Sequence, residues 1–131
     1  MKINTIVLAT AALYAASTLQ ASTPQELFKQ KCQACHTATK PQDRSSLVAP
    51  PIMGVMRHVK MSYNTQEEAT AFIVDFVLEP TKEKSICKAQ KVEKFGLMPS
   101  LKGSVTKDEL KSIAKWLYSN YPPKGFRGGR R

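Results

Sequence analysis

Cys32-Gln33-Ala34-Cys35-His36 packs two thiols and an imidazole into five residues. This is the spacing that attaches a c-type haem: the thiols form thioethers to the vinyl groups, and the adjacent imidazole is placed to bind the iron. Three other uses of the same residues compete. A zinc site wants four ligands, usually including a second Cys/His pair at similar spacing. The remaining thiol and imidazole, Cys87 and His58, stand far apart in the chain. A thioredoxin-like pair belongs at a strand-to-helix junction in an alternating strand/helix chain, and no such alternation appears. A disulfide between Cys32 and Cys35 suits an oxidising compartment but leaves His36 without a role.

The N-terminus reads as an address label. Lys2 precedes an apolar run from Ile3 to Ala16, followed by small and polar residues. A charged start and a run of this length are the marks of an export signal, and the run is too short to span a membrane. The expected signal peptide is 1–21, cleaved after Ala21, with cleavage after Ser17 as the alternative; a buried N-terminal helix is the bland reading. The address is then periplasmic, where covalent haem attachment is chemically at home. What remains is one domain, 22–124, and a basic, flexible tail, 125–131.

Three segments open with the same helix-start signature. Thr23-Pro24-Gln25-Glu26, Thr65-Gln66-Glu67-Glu68 and Thr106-Lys107-Asp108-Glu109 each place a hydroxyl at the N-cap and a glutamate three residues on, a capping box. The first predicted helix carries Leu27 and Phe28 into the cysteine motif. The second carries Ala69, Phe72, Ile73, Phe76 and Val77 on one face and ends before Pro80. The third carries Leu110, Ile113, Trp116 and Leu117 and stops by Asn120, ahead of Pro122-Pro123. No strand pattern appears, so the expected class is all-α with long loops. Such a core is thin for this size, and a buried porphyrin would thicken it.

A haem held by one histidine needs a second axial ligand or an open site. Met98, in Phe95-Gly96-Leu97-Met98-Pro99, is the expected ligand. Pro99 restricts its backbone to extended conformations, and a thioether favours ferrous iron. Met53, Met56, Met61 and His58 are the rivals. Met53 and Met56 read as core filler and His58 as a surface or hydrogen-bonded histidine. Cys87 reads as a small buried apolar residue, with an intermolecular disulfide as its alternative.

These residues together resemble the class I monohaem c-type cytochromes, from Phe28 to Trp116. The matching features are Phe28 one turn before Cys32, the motif itself, Ala49-Pro50-Pro51-Ile52-Met53-Gly54, the Gly-Leu-Met-Pro run, and Ile113 with Trp116. The resemblance implies a cytochrome c fold, with about three main helices and long loops around one covalent haem c. It implies that the Pro50 carbonyl accepts a hydrogen bond from His36, and that Phe28 crosses Ile113 and Trp116. It also implies a non-enzymatic electron carrier with His36 and Met98 as axial ligands. Ala49 stands where the family usually has glycine, and 55–92 and the tail match no general family pattern.

Charge points to partners. The chain carries a formal net charge of +10. Between Thr81 and Lys102, six lysines face Glu83 and Glu93, a net +4 around Met98. Such a ring would steer redox proteins with acidic docking surfaces; as the plainer alternative, it is a solvated face. No nucleic-acid motif appears, a membrane would be met only peripherally through the tail, and the expected state is a monomer. The alternatives to a free carrier are a dedicated electron-accepting haem subunit of a periplasmic dehydrogenase and an open-site haem protein, peroxidatic or gas-binding.

Overall fold

The computed structural model describes residues 21–128. The expected signal segment lies outside them except for Ala21, as do tail residues 129–131. The fold is all-α, with five helices: α1 Pro24–Lys31, α2 Ile52–Ser62, α3 Gln66–Leu78, α4 Ala89–Phe95 and α5 Lys107–Asn120. Among the described residues the nearest thing to a strand is an isolated bridge between Lys102 and Val105.

All three capping boxes are formed. Thr23, Thr65 and Thr106 each accept from the N3 backbone, and Glu26, Glu68 and Glu109 each reach back to the cap N–H. These bonds occupy donors that a helix start otherwise leaves orphaned. α3 ends at Leu78, ahead of Pro80, and α5 ends at Asn120.

The expectation of about three main helices is too low. α2 and α4 also form, and both start without a side-chain cap, at Pro51 and Lys88. In α2, packing supplies what capping does not, whereas α4 buries none of its residues. α2 sinks Ile52, Met56 and Val59 into the core, a spacing of i, i+4, i+7 that puts them on one face.

α5 is the hub. α3 lies along it, with Gln66 Nε2 donating to Lys115 O at 3.2 Å and Ser119 Oγ at 3.1 Å. α1 meets its other side, where the Phe28 ring stands 5.6 Å from Trp116 and 6.5 Å from Tyr121. Lys31 Nζ adds a 2.9 Å bond to Ser104 O just ahead of α5. Phe28, Met56, Val59, Leu110 and Ile113 are each only 1% exposed. Burying side chains of this size contributes roughly 1.5–3 kcal/mol each. The described part of the tail turns back so that Gly128 rests against the Arg57 side chain of α2.

Candidate cofactor cleft

The cysteine motif continues the winding of α1. Cys32 N–H donates to Phe28 O at 2.9 Å, and His36 N–H donates to Cys32 O at 2.9 Å. That last bond is one helical turn long, so Cys32 and His36 share a side. Both line a cleft bounded by α2, α3, the segment from Ser85 to Met98, and α5. Cys35, between them, is exposed and does not line it.

A return loop fixes the imidazole. Ile52 N–H donates to Thr37 O at 3.0 Å, drawing the start of α2 against the motif. His36 Nδ1 then lies 2.8 Å from Pro50 O. A carbonyl can only accept, so Nδ1 carries a proton, and in the neutral ring Nε2 keeps its lone pair. Such a bond sets both ring orientation and tautomer.

The cleft is almost wholly apolar. Ile52, Val55, Met56 and Val59 come from α2, and Phe72, Ile73, Phe76 and Val77 from α3. Ile86, Val92, Phe95 and Leu97 close another side, and Leu110, Ile113 and Leu117 come from α5. Lys91 is the one formally charged residue of the lining. The empty space inside it is about 1020 Å³, open mouth included.

Met98 lines this cleft and is half-buried. Of its rivals, Met56 is buried in the cleft wall. Met53 is half-buried away from the lining, and Met61 is 68% exposed. His58 does not line the cleft; partial burial, then Arg57, Lys88 and Lys91, holds its pKa below the ordinary value. Cys87 lines the wall and is half-buried. The sequence patterns do not single out Val59, Ile86 or Val92, all of which line the cleft. The i, i+4, i+7 spacing of α2 could have revealed the first, whereas the other two sit in a stretch with no helical period long enough to detect.

Burial, and secondarily Cys35, pushes the Cys32 thiol up to about 11. A thiol held protonated at neutral pH is a poor nucleophile in exchange. Among the described residues, no three His, Cys, Asp or Glu side chains are grouped to hold a metal ion. No helix among them is long and apolar enough to cross a membrane.

Of the six lysines between Thr81 and Lys102, two are tied within the chain: Lys84 to Asp75 at 2.9 Å and Lys102 to Glu79 at 3.3 Å. Lys91 and Lys94 stand 5.6 and 5.1 Å from the centroid of Phe95, a cleft-lining ring.

No protein-family profile matches the chain, and no solved structure matches it. It is similar to an uncharacterized protein of Aquifex aeolicus (strain VF5). The two are 31% identical over 109 residues, which covers 73% of this chain and 72% of that one. Likeness at that level over most of both chains marks common descent: this all-α chain, with its histidine-walled apolar cleft, belongs to the family of the uncharacterized Aquifex aeolicus protein.

Proposed function

We propose that the cleft receives one covalent haem c and that the protein carries single electrons between partners in the periplasm, in a cytochrome c fold. The observation that carries this reading is the His36 ring, tied through Nδ1 to Pro50 O at 2.8 Å, on the wall of an apolar cleft that Met98 also lines. The residues fit the group. A flat apolar macrocycle suits walls of Ile, Val, Leu and Phe, and the free Nε2 and the Met98 sulfur are donors that haem iron accepts. Cys32 lines the cleft and Cys35 follows on the next turn; these would be the thioether positions.

When bound, the haem would supply a one-electron couple. The chain's own residues do the rest. The Pro50 carbonyl keeps the His36 proton on Nδ1 and the opposite nitrogen available. The aliphatic walls exclude water and favour the less charged state of the site, and the soft, neutral sulfur of Met98 works in the same direction. The lysines along 82–102 would orient an acidic redox partner. With His36 and Met98 both holding the group, no position on it would be left open to exchange, which would suit a carrier rather than an enzyme.

The test is production of the full chain in a host that matures c-type cytochromes. One haem should stay on the chain through denaturing electrophoresis, and its mass should appear on the intact protein. The oxidised protein should show the weak red-end methionine-to-iron band, and carbon monoxide should leave the reduced spectrum unchanged. A chain exported without covalent haem would overturn the reading, and a five-coordinate reduced spectrum would turn it toward an open site.

A further inference from the structure

The loop that carries Met98 is fastened at both ends by features that the cofactor reading does not itself require. On its N-terminal side, Gly96 caps α4, with its N–H on Val92 O at 2.8 Å. Its backbone sits at φ 74°, ψ 179°, a region open essentially only to glycine. On its C-terminal side the loop runs to the carbonyl end of α3. Ser100 Oγ donates to Leu78 O, and Leu101 N–H donates to Val77 O at 3.1 Å. Both acceptors lie in the last turn of α3, where helix carbonyls lack intrahelical partners. Ser100 Oγ also accepts from Lys102 N–H at 3.2 Å, so one hydroxyl both donates to α3 and accepts from its own loop. Asp75 and Glu79, near the same helix end, hold Lys84 and Lys102.

We infer that Ser100 is a positioning residue for Met98: its hydroxyl closes the loop onto α3 and sets how often the sulfur leaves its place in the cleft. This rests on the reading of Met98 as an axial ligand. Ser100 is exposed and lies two residues from Met98, so its removal opens no cavity in the core. Its effect falls on the opening equilibrium of one loop, a local event separable from global unfolding.

The experiment compares the haem-loaded wild type, Ser100→Ala, Ser100→Thr and Met98→Ala, using imidazole as an external ligand that binds only where the sulfur has left. Losing one hydrogen bond contributes a factor of about fivefold to such an equilibrium. Ser100→Ala should therefore bind imidazole about fivefold more tightly, with an unchanged red-end band at zero imidazole and an unchanged guanidinium midpoint. Ser100→Thr keeps the hydroxyl and should return toward wild type. Gly96→Ala, which strains the other end, should move imidazole affinity in the same direction as Ser100→Ala. Equal imidazole affinity in wild type and Ser100→Ala would overturn the inference. So would a shift that appears only together with a lowered guanidinium midpoint. Failure of the underlying reading looks different: the wild type would lack the band, or Met98→Ala would leave the spectrum unaltered.

Discussion

Thr70, at the scale of the single residue, is the clearest misfit in the fold. It is 7% exposed on the buried side of α3, and its Oγ1 has no hydrogen-bond partner among the described residues. A hydroxyl taken out of water without a partner costs about 1–3 kcal/mol. Valine has nearly the same shape, a similar helix propensity and no such group. Thr70→Val should therefore stabilise the protein by about 1 kcal/mol, raising the urea midpoint at unchanged slope. Thr70→Ser, which keeps the hydroxyl and loses a methyl, should give no gain. A midpoint for Thr70→Val at or below wild type would mean that the hydroxyl is satisfied in solution.

The helices themselves are governed by their first turns. Thr23 N–H donates to Glu26 Oε2 at 2.8 Å, and Thr106 N–H donates to Glu109 Oε2 at 2.8 Å. In both glutamates these backbone bonds are the largest influence, and they hold the carboxyl below its ordinary value of 4.5. The unfolded chain, titrating near 4.5, then binds protons that the folded chain refuses. The stability from these bonds is complete above about pH 4.5 and is lost as pH falls through the lower, folded pKa values. A urea midpoint followed from pH 6 to pH 3 should fall in that acid window. The Glu26→Gln/Glu109→Gln pair should show a shallower fall, and equal slopes would place the acid sensitivity elsewhere. The same first turns explain what was legible. α1, α3 and α5 each announce their start with threonine and glutamate three residues apart, and each forms where expected. α2 starts on Pro51 and α4 on Lys88 without a side-chain cap, so neither carries that mark. α4 is seven residues long, and its apolar residues Val92 and Phe95 have meaning only against a cleft assembled from four other parts of the chain: the cysteine motif, α2, α3 and α5. The contact of His36 with Pro50, fourteen residues away, likewise depends on a loop closure that neither residue encodes alone.

Charge acts at the scale of the whole molecule. The chain carries +10 in total, yet its cleft is apolar and its basic residues crowd one stretch of the surrounding sequence. Lys82, Lys88, Lys91 and Lys94 form no ion pair among the described residues, and Lys91 reaches the cleft lining itself. Their attraction for an acidic surface is therefore not spent within the chain. If partners of the proposed carrier dock over these lysines, the encounter rate must depend on ionic strength. The screening length shortens from about 30 Å at 0.01 M salt to about 3 Å at 1 M. Electron exchange between the haem-loaded protein and an acidic redox protein should slow by about tenfold or more across that range, since steering accounts for factors of about 10–1,000 in association rate. Lys88→Glu/Lys94→Glu, both outside the cleft lining, should remove most of that slope and leave exchange with a neutral small-molecule reductant near wild type. Stopped-flow measurement over the salt series decides the matter. A wild-type rate independent of salt would reduce these lysines to a solvating surface, with the docking face to be sought elsewhere on the molecule.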